Sequence, residues 1–195
     1  MCYPVRLMSA FPLFSSLPNL ISLARLALVP VVILLIIDQE WTKAFLIFLA
    51  AGISDAVDGF LAKQFNLTSE LGAYLDPLAD KALLITIYVV LAVVGALPAW
   101  LTILVVFRDV LIIGAVIMSW LLDNPVTIRP LWVSKLNTAA QITLAGLVLG
   151  ARGFELQPGP WQTGLVWLVA LLTLASTIAY LTQWMRHMES DAGDH

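Results

Sequence analysis

The chain has 195 residues and a formal net charge of -3, with 61% hydrophobic and only 12% charged residues. That balance lies outside the soluble globular range and points to a polytopic membrane protein, with nothing that suggests a nucleic-acid partner. The single cysteine, Cys2, excludes an internal disulfide and any cysteine-based metal framework.

The expected fold is all-α, with about six transmembrane helices in one domain over residues 1–195. Residues 1–19 hold Arg6 and an apolar patch broken by Pro12, which reads as an interfacial lead-in too short to span. A cleavable signal peptide would need a small-residue cleavage site that does not follow. The first span is expected over 20–37, stopped by Asp38, Gln39 and Glu40. Arg25 lies inside it, either snorkelling to the headgroups or facing the acids of the next spans or a phosphate.

The second span, 41–63, turns small and acidic at its end, through Gly52, Asp55, Asp58, Gly59 and Ala62 to Lys63. Small residues let a helix or a ligand approach the backbone closely, but packing does not explain the two acids. A polar connection over 64–71 leads to Gly72. A third span follows with Asp76, Pro77, Asp80 and Lys81 near its start, and it is apolar to residue 94. Pro77 suits an early helical position, where a missing N–H is tolerated.

A fourth span is expected over 99–122, with Arg108 and Asp109 in its middle. Adjacent residues do not face the same way on a helix, so these two are expected to have different partners. A loop carrying Arg129 and Lys135 precedes a short fifth span, 136–149, and a sixth, 161–185. Residues 187–195 form a polar tail expected to be disordered, and neither His187 nor His195 has a role. Arg6, Lys63, Lys81, Arg129, Lys135 and Arg186 fall at one membrane face, with only Lys43 and Arg152 at the other. The positive-inside rule puts the acidic stretch at the cytoplasmic face.

An aspartate at mid-bilayer costs about 2.5 to 3.5 kcal/mol on the insertion scale, so four of them need a compensating partner. Asp55 and Asp58 are three apart, and Asp76 and Asp80 four apart, so each pair shares a helical face. Divalent cations would turn their mutual repulsion into ligation by hard oxygens. Two such ions about 3.5 to 4 Å apart clamp the attacking and leaving oxygens of a displacement at phosphorus, so phosphoryl-type transfer is the natural chemistry. Gly59 and Ala62 would admit a diphosphate and Lys63 would supply a cationic donor, while one aspartate could serve as base; spacing does not say which. Intramembrane acids also mark ion paths, and an ion transporter is the remote alternative. It would place its acids facing each other in mid-membrane rather than at one face.

The stretch Asp55, Asp58, Gly59, Ala62, Lys63, Gly72, Asp76 and Asp80 resembles the pattern D-x2-D-G-x2-A-R-x8-G-x3-D-x3-D of the CDP-alcohol phosphotransferases, departing from it only in Lys63, where the family has arginine. Lysine keeps the charge but loses the planar two-pronged donor. The resemblance extends through LPNLISLARLALVP, LGAYLDPLADK, FRDV and VSKLNTAAQ. It implies a six-helix membrane fold, two divalent cations, Mg or Mn, on Asp55, Asp58, Asp76 and Asp80, and a cytidine diphosphate group beside Gly59, Ala62, Lys63 and Gly72. By analogy Asp80 looks like the base. An acceptor hydroxyl would attack the β-phosphorus of CDP-diacylglycerol and expel CMP.

PNLISLAR and LDPLADK resemble the glycerol-phosphate branch of the family. FRDV and SKLNTAAQ look more like its cardiolipin synthases, with phosphatidylglycerol as acceptor, than its phosphatidylglycerophosphate synthases, which use glycerol 3-phosphate and more often show an Arg-Glu pair and GK-x-KT. In either case Lys135, Arg108 and Arg129 would bind the acceptor's phosphate, unless they are simply positive-inside charges. The resemblance further implies a bacterial inner-membrane enzyme and a possible homodimer.

Overall fold

Six helices follow one another with no strand among the described residues: α1 (Pro12–Ile37), α2 (Trp41–Phe65), α3 (Glu70–Val93), α4 (Ala99–Leu121), α5 (Trp132–Gly153) and α6 (Pro160–Ala192). The structure is a computed structural model that describes the backbone over residues 12–65, 70–121 and 132–192 and the side chains over 23–54, 81–115, 118 and 132–185. It divides into two compact units, residues 1–87 and 88–195, with the boundary inside α3.

Three helices run beyond the spans that hydropathy marks out, because polarity ends a membrane crossing without ending a helix. Helix α1 starts at Pro12, so part of the lead-in is helical; proline at a first position gives up only an N–H that would have had no partner. Helix α5 starts at Trp132 and reaches Gly153, so the expected short fifth span is a helix of 22 residues, and Lys135 sits in its first turn rather than in a loop. Helix α6 continues through Arg186 to Ala192, which corrects the expected disorder of that part of the tail: Arg, Met, Glu and Ala are good helix formers, and no Gly or Pro interrupts them. In α3, Pro77 is the eighth residue, two turns in, so it leaves the carbonyl of Ala73 without its helical donor.

Helices α1, α3 and α5 end in the same way. Glu40 N donates to Leu35 O (2.8 Å) and Gln39 N to Ile36 O (3.1 Å); Ala96 N donates to Leu91 O (2.8 Å) and Gly95 N to Ala92 O (3.1 Å). Leu156 N and Glu155 N repeat the pattern on Ala151 O and Arg152 O. Each is a Schellman turn, which satisfies carbonyls that a helix end would leave unpaired and requires one left-handed residue. Those residues are Gln39 (φ 59°), Gly95 (φ 71°) and Glu155 (φ 55°), and only the glycine takes the conformation without a Cβ penalty.

Within the first unit α1 packs on α2. Val32 and Ile36 of α1 and Ala44 and Ala51 of α2 are buried, at helical spacings of four and seven. Within the second unit α6 packs on both α4 and α5. The buried stripe of α4 is Leu101, Val105 and Arg108, that of α5 is Asn137, Gln141, Leu144 and Val148, and that of α6 is Val166, Val169, Thr173 and Ser176. Each stripe keeps one face but changes along its length from aliphatic to polar. Outside, the order is reversed: Leu34, Leu46, Val93, Phe107, Leu136 and Leu171, on the six helices in turn, are exposed. Among the described residues one stretch, Pro160–Met185, is long and apolar enough to cross a membrane, with shorter apolar stretches at Leu23–Ile37, Trp41–Ser54 and Lys81–Val93.

Candidate active site

The acidic motif lies on two consecutive helices. Asp55, Asp58, Gly59, Ala62 and Lys63 belong to the C-terminal part of α2, and Gly72, Asp76 and Asp80 to the N-terminal half of α3. Only residues 66–69 separate the two, a connector of the length that joins antiparallel neighbours. The backbone is helical through both aspartate pairs, so the three- and four-residue spacings place the members of each pair on one face. This register, and a donor set made only of carboxylates, fits hard divalent cations. The side chains of all eight motif residues lie outside the described residues; among the described ones no cluster of three or more His, Cys, Asp or Glu could hold a metal.

Of the expected acceptor-binding residues, Arg129 lies outside the described residues and the other two have contrasting settings. Lys135, in the first turn of α5, is exposed, with its Nζ 5.1 Å from the centre of the Trp132 ring. Arg108, in the middle of α4, is 4% exposed. All three of its guanidinium nitrogens donate within the protein. Nη1 donates to Asp109 Oδ1, Nη2 to Ser134 Oγ of α5 (2.6 Å) and to Ser176 Oγ of α6 (2.7 Å), and Nε to Ser176 Oγ (3.3 Å). The cation also lies 5.6 Å from the centre of the Tyr180 ring.

The expectation that Arg108 and Asp109 have separate partners is therefore corrected. The long arginine side chain bends across the 100° between neighbouring positions and reaches the short aspartate, while both stay buried. A buried guanidinium without a carboxylate would be strongly disfavoured, so the pair enters the interior together.

The same seam holds residues that sequence reasoning passed over. Thr173 Oγ1 of α6 donates to Asn137 Oδ1 of α5 (2.9 Å), and Tyr88 OH of α3 donates to the carbonyl of Gln141 (3.1 Å). Thr102 Oγ1 of α4 donates to the carbonyl of Tyr88 (3.1 Å). The side-chain nitrogens of Asn137 and Gln141 find no acceptor among the described residues. Ser134, Asn137 and Gln141, at spacings of three and four, and Thr173, Ser176 and Tyr180, at spacings of three and four, carry the signal: a polar stripe at helical period in two otherwise apolar segments. In a dry interior such bonds join helices, typically contributing about 0.5 to 2 kcal/mol each.

Residues 15–180 match the CDP-alcohol phosphatidyltransferase family. The chain is 35% identical over 181 residues to the cardiolipin synthase (CMP-forming) of Homo sapiens, covering 85% of this chain and 60% of the human protein. It is 36% identical over 185 residues to the chloroplastic CDP-diacylglycerol--glycerol-3-phosphate 3-phosphatidyltransferase 1 of Oryza sativa subsp. japonica, covering 86% of this chain and 56% of the rice protein. It is 29% identical over 184 residues to the CDP-diacylglycerol--glycerol-3-phosphate 3-phosphatidyltransferase of Bacillus subtilis, covering 86% of this chain and 94% of that protein. The chain thus spans under two thirds of the human and rice relatives. With six helices in order, the acidic motif on α2 and α3, and a family match over most of its length, the chain belongs to the CDP-alcohol phosphatidyltransferase family.

Proposed function

We propose that this chain catalyses phosphatidyl transfer from CDP-diacylglycerol to a glycerol-type hydroxyl with release of CMP, and that the acceptor is phosphatidylglycerol, giving cardiolipin. The observation that carries the reading is the acidic motif, held as two same-face carboxylate pairs on consecutive helices. The human relative's name and the FRDV and SKLNTAAQ segments support phosphatidylglycerol as acceptor. The Bacillus subtilis relative, matched over 94% of its length, favours glycerol 3-phosphate as the second reading.

Asp55, Asp58, Asp76 and Asp80 would hold two divalent cations, Mg or Mn, which when bound supply charge neutralisation for a diphosphate. Asp80 takes the proton of the acceptor hydroxyl as its oxygen bonds to the β-phosphorus, and the bond from that phosphorus to the CMP oxygen breaks. Gly59, Ala62 and Gly72 leave room for the nucleotide diphosphate, and Lys63 donates to it as a point charge. Lys135 and Arg129 meet the phosphate of the acceptor. The apolar residues exposed on all six helices support a six-span protein, and a second copy could cover part of that apolar surface; the distribution of Lys and Arg favours a bacterial inner membrane with the acids at the cytoplasmic face.

The test is CMP release by the purified protein with CDP-diacylglycerol and Mg or Mn, with phosphatidylglycerol and glycerol 3-phosphate supplied in parallel. Release that depends on phosphatidylglycerol and yields cardiolipin is expected. Release only with glycerol 3-phosphate moves the assignment to the second reading, and release with neither refutes the proposed activity.

A further inference from the structure

Arg108 and Lys135 are both cations of the second unit, yet Lys135 is exposed and Arg108 is enclosed by hydrogen-bond acceptors on three helices. We propose that Arg108 is a positioning residue, which holds the first turn of α5 through Ser134 and thereby aims Lys135 at the anionic phosphate of the acceptor lipid. The proposal rests on the assignment of Lys135 to that phosphate.

Arg108 Nη2 is 2.6 Å from Ser134 Oγ, and Ser134 is the residue immediately before Lys135. The same nitrogen and Nε reach Ser176 of α6, so one planar fork fixes the start of α5 against α6 from α4. Consecutive helical positions are about 100° apart, so a serine turned into the seam leaves the following side chain turned out of it. Lys135 is exposed in just that way, and its Nζ stands over the Trp132 ring. Thr138 Oγ1 donates to the carbonyl of Ser134 (3.2 Å) and adds a second hold on the same turn.

Charge gives the same result. A lone guanidinium beside the first turn of α5 would face the positive end of the helix dipole. Asp109, bonded to Nη1, offsets that charge, so what Arg108 brings to the turn is direction and not a net positive field. For Arg108 to leave the seam and bind a lipid phosphate itself, it would have to give up Ser134, Ser176 and the buried carboxylate at once.

Two measurements test this. In mixed micelles with CDP-diacylglycerol and phosphatidylglycerol, Lys135→Ala, Ser134→Ala, Arg108→Lys and the double variant Ser134→Ala with Lys135→Ala are compared. Ser134→Ala and Arg108→Lys are expected to raise the acceptor KM by about fivefold with a smaller change in kcat, and Ser134→Ala to add nothing once Lys135 is alanine, since coupled residues are not additive. A merely structural role would lower the folded fraction, and so the apparent kcat, at unchanged KM. That result, equal effects of Ser134→Ala with and without Lys135, or an unchanged KM in Lys135→Ala overturns the proposal; the last also removes the assignment of Lys135. The second measurement is independent of turnover: a nitroxide on Lys135→Cys in a Cys2→Ser background is expected to give a more mobile spectrum when Ser134→Ala or Arg108→Lys is added. Identical spectra overturn the proposal even if the chain shows no transferase activity, whereas a mobile spectrum from an inactive protein leaves the hold on the first turn of α5 intact and refutes the proposed activity.

Discussion

The acidic stretch of α2 and α3 and the polar seam of α4 to α6 place charge in an apolar chain in opposite ways. From Asp55 to Lys81 there are five acids against two lysines, whereas α4 carries one arginine and one aspartate that bond to each other. The Arg108 and Asp109 pair of the seam is neutral within itself, which is what a structural brace requires. The stretch keeps a net charge of -3, equal to that of the entire chain, which the proposed divalent cations would offset. One region spends its polarity on holding helices together, and the other, on the proposed reading, keeps its polarity for a ligand.

That contrast predicts different losses from similar substitutions. Asp80→Asn should lower CMP release by about a thousandfold or more while leaving the fold intact, because on the proposed reading it removes the base and a cation ligand together. In thermal unfolding, Mg or Mn at about 100 times its Kd should stabilise the parent by about 2.7 kcal/mol, and the variant should lose that gain. A variant that kept both would end the distinction between the two regions. Arg108→Ala should do the reverse, destabilising the folded protein by about 3 to 5 kcal/mol in denaturation measured in detergent, because it takes the bonded guanidinium away from a buried carboxylate and two serines. Replacing both members, as Arg108→Met with Asp109→Leu, should restore most of that stability.

Smaller effects should follow at the edges of the two regions. Lys63→Arg, which supplies the two-pronged donor of the family pattern, should lower the KM for CDP-diacylglycerol by about fivefold, read from initial rates of CMP release. The turns belong to neither region. Gly95→Ala should destabilise by about 1 kcal/mol in the same denaturation assay, and Gln39→Gly should stabilise by up to about 1 kcal/mol, since the first adds and the second removes a Cβ in the left-handed conformation.

The acidic motif was legible because its residues are improbable in an apolar chain, and six helices in order followed from hydropathy. The bounds of α4, expected at 99–122 and found at Ala99–Leu121, show how well that works where apolar span and helix coincide. Elsewhere they do not coincide. Helix α5 takes in Trp132 to Lys135 ahead of its apolar core, and hydropathy cannot see a helical turn made of Trp, Val, Ser and Lys. The seam was missed for another reason: Ser134, Asn137, Thr173 and Ser176 are each unremarkable in a membrane helix, and only their shared period, and the arginine they surround, make them a unit. The Arg108 and Asp109 pair escaped because facing rules treat side chains as short radial arms, and arginine is neither short nor stiff.

Helix α6 is longer than a membrane needs. Its 33 residues make a rod about 50 Å long, against a hydrocarbon core of about 30 Å, so a helix of this length standing upright in a bilayer would extend well beyond the hydrocarbon. With its apolar stretch, Pro160–Met185, in a bilayer, the helical turns from Arg186 to Ala192 would stand outside it and carry a domain fused after Ala192 away from the lipid surface.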